Sequence, residues 1–360
     1  MTEERDIVKF ALPFTIGIST AWLFQEMENG LSNSCISIFL ILSFSAMMSG
    51  RFRFLPKTLQ WSAIYSTVFL TGTTCFIAAL HMETSSVVSR TFAEGFCDRL
   101  NIAIDSIAFR NDETAPLLKA LITGNRTALT PELSAAFRKS GASHILALSG
   151  MHLGIVYGLM AKLLSPMGNT GRAQLIRSFT MISACGYYTL ATGSGESMTR
   201  AFLFILLHES ASILNRKTSL EQILYASLII QLATDPLAIR SVSFQLSYAA
   251  MAGIAHIHPH LSSFWPQDGR NIFRRIWESA SLSISCQITT GPLAWLYFRS
   301  FPSHFLLANL IAAPLTGVII TSALALLAAD AMGFCPQILV KLTELSVSLM
   351  TGALKTIASM

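Results

Sequence analysis

The chain has 360 residues, of which 52% are hydrophobic and only 12% charged. Apolar stretches long enough to cross a bilayer recur almost from end to end, which excludes a water-soluble protein carrying a single anchor. The formal net charge of +5 reflects loop lysines and arginines that orient a membrane protein, and carries no nucleic-acid argument by itself.

In chain order, candidate spans cover residues 7–24, 31–49, 59–80, 144–164, 172–192, 196–214, 220–234, 242–257, 276–298, 304–329 and 338–358. The expected fold is therefore all-α, a polytopic integral membrane helix bundle of about eleven spans. The N-terminal residues Glu3, Glu4 and Asp6 and the lack of a small-residue cleavage site make 7–24 a first span, not a removed signal. The segment 220–234 is short for a crossing, and Pro292 and Pro314 are places where the late spans could break into re-entrant pieces.

Basic residues in short loops orient the chain. Arg51, Arg53 and Lys57 follow the second span, Arg172 the fourth, Arg216 and Lys217 the sixth, and Arg270, Arg274 and Arg275 the eighth. A cytoplasmic N-terminus puts all of them on the inner side, with the lysine- and arginine-free loops 25–30 and 193–195 outside. Three regions follow: N-terminal helices over 1–80, an extracytoplasmic helical segment over 81–143, and a membrane domain over 144–360.

In the outer segment, Val88, Phe92, Phe96, Leu100, Ala103, Ile104 and Ile107 recur at helical spacing, with Arg90, Glu94, Asp98, Asn101 and Asp105 opposite. This predicts an amphipathic helix on the outer membrane surface or over the bundle mouth. Asn111 or Asp112 caps a second helix that stops at Gly124, and Thr130-Pro131 opens a third that ends at Ser140-Gly141. Acidic and basic residues balance here, so simple count gives no electrostatic funnel for a polyanion.

The stretch 140–164 organises the rest. Read as one helix, it places His144, Leu148 and His152 on one face with Ser149 at its edge, and Gly150, Gly154 and Gly158 as a ridge for close helix contact. Polar groups this far into an apolar run face other helices or water. Glu196 and Arg200, with Ser197 between them, stand one turn apart at the start of the sixth span and can pair. Asp235-Pro236 ends the seventh span; Arg240, Ser243, Gln245 and Ser247 lead into the eighth. Glu278, Ser281, Ser285 and Thr289 form a polar stripe in the ninth, with Gln287 opposite and Pro292 beyond, and Asn309 and Pro314 mark the tenth. Each set fits either the lining of a hydrated path or interhelical hydrogen bonding.

No nucleophile–base pair or phosphate-binding loop stands out, so the chain is not expected to be an enzyme or to need a cofactor. The six cysteines include no Cys-x-x-Cys pair, and His256-Ile-His-Pro-His260 lacks the acid of a hydrolytic zinc motif, so no metal is expected.

Together these pieces resemble the ComEC family, membrane proteins of DNA uptake. The run Gly141-Ala-Ser-His144-Ile-Leu-Ala-Leu-Ser-Gly-Met-His152-Leu-Gly is similar to a family pattern close to GTSHLLAVSGLHVG. Leu121-Ile-Thr-Gly-Asn-Arg126, Ser197-Met-Thr-Arg200-Ala, Asp235-Pro, Ser243-Phe-Gln-Leu-Ser247 and Gln287-Ile-Thr-Thr-Gly-Pro292 continue the match, with Asn309 and Pro314, over roughly Val88 to Leu327. The resemblance implies an inner-membrane channel component through which single-stranded DNA reaches the cytoplasm. Such a channel needs positive groups to follow phosphates, for which Arg200 and Arg240 are candidates, as are His144 and His152 if protonated, and surfaces for bases, for which Tyr187, Tyr188 and Tyr248 are candidates. Full-length members usually add an outer oligonucleotide-binding-like domain and a metallo-β-lactamase-like domain that this sequence does not show. A separate DNA-capture protein, nuclease and cytoplasmic motor are therefore expected as partners, besides the lipid bilayer and a possible second copy of the chain. The alternative is a transporter of a small solute, or an envelope scaffold, with no DNA role.

Overall fold

A computed structural model describes residues 6–27, 56–81, 88–168, 170–264, 272–299 and 304–360. All regular structure among them is helical. The segments Gln60–Leu80 and Phe305–Ala331 are long and apolar enough to cross a membrane. The span expected at 31–49 lies outside the described residues.

The chain divides into two units, the first drawn from Met1–Ser85 with Arg216–Ala252 and the second from Ser86–Asn215 with Gly253–Met360. The first contains α1 (Asp6–Met27), α2 (Lys57–His81), α10 (Leu220–Thr234), a 3-10 turn (Pro236–Arg240) and α11 (Val242–Ala252). Lys9 lies over the Trp61 ring and Gly17 meets Phe69, so α1 and α2 run side by side in one direction. Their approach is close because both contribute glycine. A Cβ on Gly17 would lie 2.0 Å from the Phe69 carbonyl oxygen, and one on Gly72 would lie 2.2 Å from that of Phe14. Thr73, buried in the same contact, donates to the Gly17 carbonyl at 3.2 Å.

The second unit contains α3 (Val88–Ser106), α4 (Thr114–Thr123), α5 (Pro131–Lys139), α6 (Ser143–Leu146), α7 (Gly150–Leu163), α8 (Gly171–Ala191) and α9 (Glu196–Ile213). After them come a π-turn (Gly253–Ile257), α12 (His258–Ser262), α13 (Ile272–Phe298), α14 (Phe305–Ala331) and α15 (Gln337–Ala358). Two of the local expectations for the outer segment hold: Gly124 ends α4 at φ 78°, and the Thr130 side chain accepts from Leu133 N–H to start α5. The cap of α4, however, is Glu113 and not Asn111 or Asp112, with Asn111 Oδ1 accepting from the Glu113 N–H. The segment's second and third helices pack against α14 and α15. Leu117, Leu118, Leu121, Ile122, Leu133 and Phe137 share one core with Ala312, Ile319, Val347 and Met350 of α14 and α15. Polar ties reinforce that packing. Glu344 accepts from the Arg110 and Asn111 backbone N–H groups, Asn111 Nδ2 donates to Ser348, and Lys355 pairs with Glu113 at 2.7 Å.

Beside the buried Val347, Met350 and Leu354, α15 also turns polar side chains inward and aliphatic ones outward. Thr343, Ser346 and Thr351 are buried while Ile338, Leu345 and Leu349 are exposed. On α8, Ser178 and Thr189 are buried and Phe179 and Leu190 exposed. Polar atoms turned inward and aliphatic ones outward suit hydrocarbon surroundings.

Both proline expectations are corrected. Helices α13 and α14 continue through Pro292 and Pro314, and both prolines sit on exposed faces.

Candidate functional site

The stretch expected as one central helix is two. α6 ends at Leu146, Ala147 is extended at φ −84°, ψ 133°, and α7 starts after an extended Ser149 at φ −136°, ψ 172°. The break is stabilised by side chains. Arg126 Nε donates to the Leu146 carbonyl at 2.9 Å, which satisfies an acceptor that the end of α6 leaves open. The Leu148 side chain seats against Gly124, at 2.9 Å from where its Cβ would be. The Ser149 N–H donates to His152 Nδ1 at 3.2 Å, and Ser149 Oγ is 3.0 Å from the same nitrogen. Ser-Gly-Met-His is thus a capping box with histidine in the place usually held by glutamate or glutamine.

The break separates the two histidines. His144 is exposed on α6, whereas His152 is 1% exposed at the start of α7. An accepting Nδ1 leaves the proton of a neutral imidazole on Nε2. That atom is buried and has no hydrogen-bond partner among the described residues.

Arg200 reaches the same place from α9. It is 6% exposed, donates to Ser197 Oγ at 3.3 Å, and its Nη2 lies 3.7 Å from where a Cβ on Gly150 would be. Ala201 Cβ is 3.3 Å from that point, so residue 150 has room for little beyond hydrogen. The guanidinium therefore stands against the N-terminal turn of α7, whose free N–H groups carry partial positive charge. Ser149, Gly150, His152, Ser197 and Arg200 come together as one electropositive corner. Glu196 is half-buried one turn from Arg200.

The remaining candidates do not join this corner. Among the described residues nothing lies within 4 Å of where a Cβ on Gly154 or Gly158 would go, so of the expected ridge only Gly150 makes a close contact there. Gly158 instead borders an open groove of about 640 Å³ with Lys162, Pro314, Gly317, Thr321 and Leu342. Gln287 and Pro292 line a separate shallow surface with Trp295 and Phe305. Asn309 keeps a buried Oδ1 with no partner among the described residues. The tight contact that the polar stripe serves is with Gly253. A Cβ there would lie 2.4 Å from the Ser285 carbonyl, and the buried Ser281 and Ser285 hydroxyls bond carbonyls of their own helix.

In the first unit the polar residues are tied down locally. Asp235 accepts from Leu237 N–H and caps the Pro236–Arg240 turn, and Gln245 donates to the Ile239 carbonyl at 2.8 Å. Arg240 lies 5.6 Å from the Phe76 ring centre. Ser243 is exposed and Ser247 half-buried. The tyrosines expected to stack bases are largely engaged. Tyr188 donates to the Ile122 carbonyl at 2.7 Å, and Tyr248 reaches Gln231 and Ser227. Tyr187 remains half-exposed, edge-on to Phe96.

Sequence reasoning missed Arg126, whose role needs the break, and the close contacts of Gly17, Gly72 and Gly253. It placed Glu209 late in the sixth span without a role; this carboxylate is 5% exposed and accepts from Tyr157 and Ser178.

A family model described as "Competence protein" matches residues 121–360. The matched stretch opens at Leu121, later than the Val88 expected from the motifs, and runs to the last residue. Among curated relatives, ComE operon protein 3 of Bacillus subtilis (strain 168) is 26% identical over 216 residues, covering 58% of this chain and 26% of the relative. Competence protein ComA of Neisseria gonorrhoeae is 26% identical over 204 residues, covering 55% of this chain and 28% of the relative. The chain spans about a quarter of the length of these relatives. No solved structure matches it significantly.

Proposed function

The chain belongs to the competence protein family, and from that premise we propose that it is a channel component that passes single-stranded DNA across the inner membrane into the cytoplasm. The observation that carries the reading is the corner where the buried Arg200 guanidinium meets the N-terminal turn of α7 beside His152. Two sources of positive potential converge there, the guanidinium and the first turn of the helix. Positive potential of this kind attracts anions, and the phosphates of a nucleic-acid strand are suitable ones.

The proposed setting is a multi-pass protein of about eleven spans with a cytoplasmic N-terminus, divided at about residues 80 and 143 as the hydropathy suggests. The polar side chains turned inward and aliphatic ones turned outward on α8 and α15 support lipid contact. The reading assigns no covalent chemistry to the chain, because passage needs only compensating charge and a path. Charges of the outer segment are paired, Lys119 with its own Asp105 and Glu113 with Lys355 of α15. That favours separate proteins for DNA capture, strand degradation and motive force; assembly with a second copy belongs to the same proposal.

The test follows labelled single-stranded DNA into cells with and without the gene, scoring label that external nuclease cannot reach. Protected label should fall on deletion, and return with the native gene but not with an Arg200→Ala copy at equal abundance. Unchanged import in a host shown to take up DNA would move the assignment to a small-solute transporter or an envelope scaffold.

A further inference from the structure

Glu209 lies on α9, well away from the corner around Arg200. Its carboxylate bridges two neighbouring helices. Oε1 accepts from the Tyr157 hydroxyl of α7 at 2.6 Å, and Oε2 accepts from the Ser178 hydroxyl of α8. The side chain is 5% exposed, and Ser178 is fully buried. No lysine, arginine or histidine pairs with Glu209 among the described residues. The other ionisable groups acting on the cluster are both on α8, the buried Cys185 thiol and the Arg177 guanidinium beyond it. On α9 itself the adjacent His208 is exposed. A buried charge normally has an ionic partner; here two neutral hydroxyls take that place.

We propose that Glu209, Tyr157 and Ser178 form a reversible proton-binding site inside the helix bundle. In one state the carboxylate accepts from both hydroxyls and clasps α7 and α8 to α9. A proton arriving from water forms an O–H bond on one Glu209 oxygen. The hydroxyl that had donated to that oxygen turns to accept, and both bonds of the clasp lose their charge assistance. Release of the proton to water restores the first state. In both states each oxygen of the three side chains keeps a hydrogen-bond partner, and the protonated state gives up only the acceptor of the hydroxyl that turned.

The test uses the full chain in lipid bilayers. Infrared difference spectra between mildly alkaline and mildly acidic buffer should show the carbonyl stretch of a protonated carboxyl on the acid side. That band should shift in D2O and vanish in Glu209→Gln. In Tyr157→Phe its frequency should shift, because the carboxyl has lost one hydrogen-bond partner. Dicyclohexylcarbodiimide, an apolar reagent for protonated carboxyls, should label Glu209 of the native chain more at acid pH, read by peptide mass spectrometry. The labelling stands even if Glu209→Gln does not fold. A Glu209 that takes no label at any pH and no carboxyl band that its substitution removes would overturn the site and leave Glu209 a permanently ionised packing group. Neither readout involves DNA, so this proposal and the channel reading succeed or fail separately.

Discussion

The Nε of Arg126 donates to the carbonyl oxygen of Leu146 at 2.9 Å, joining the loop after α4 to the end of α6. That bond holds open the break from which α7 starts, and so fixes where Gly150 and His152 stand relative to Arg200. Arg126→Ala should lower stability by about 1 kcal/mol, the value of one charge-assisted bond at a partly exposed site. Thermal unfolding in detergent checks this. DNA import should fall further than the stability loss explains, since the corner loses its register.

At the corner itself, Arg200→Ala should reduce protected DNA strongly while insertion and abundance hold. Arg200→Lys should recover part of the import, because it restores charge without the planar fork. His152→Ala should also lower import. Full import with both alanine variants combined would remove these residues from the path.

Glycine substitutions separate contact from open space. Gly253→Ala places a Cβ about 2.4 Å from the Ser285 carbonyl and should destabilise by roughly 1–3 kcal/mol through overpacking. Gly154→Ala meets nothing within 4 Å and should be neutral or stabilising by up to about 1 kcal/mol, as alanine is the better helix former. Comparing the two melting temperatures under one condition decides it.

The α1–α2 pair gives an independent check in the first unit. Gly17→Ala and Gly72→Ala each drive a Cβ into partner backbone, at 2.0 and 2.2 Å. Each should lower the yield of folded protein, and Gly17→Ala combined with Gly72→Ala should cost less than the sum, since one separation of the helices relieves both. Folded yield after detergent extraction, measured by size-exclusion chromatography, is the readout.

Tyr248→Phe tests packing against base stacking. The ring is kept, while the hydroxyl that reaches Gln231 Oε1 at 3.1 Å and Ser227 Oγ at 3.3 Å is lost. A stability loss of about 1 kcal/mol with unchanged import is the expected result.

What the sequence by itself determined was local and cumulative. Helical periodicity, the stops at Gly124 and Gly141 and the start at Thr130-Pro131 depend on residues within a few positions of one another. They appear in α4 and α5 much as expected. The apolar composition marked the chain for a bilayer, and the motifs around His152 and Arg200 pointed to the family. The tertiary structure decided what depends on distant neighbours. Hydrophobicity is equally served by one helix or two over 140–164, and the choice rests on Arg126, some twenty residues upstream. Spacing made Gly154 look like a contact, but whether a glycine is needed depends on which backbone lies opposite, as Phe69 does for Gly17 and Ser285 for Gly253. The role of Glu209 was invisible for the same reason. A carboxylate in an apolar helix gains its meaning from Tyr157 and Ser178, hydroxyls that only packing brings to its two oxygens.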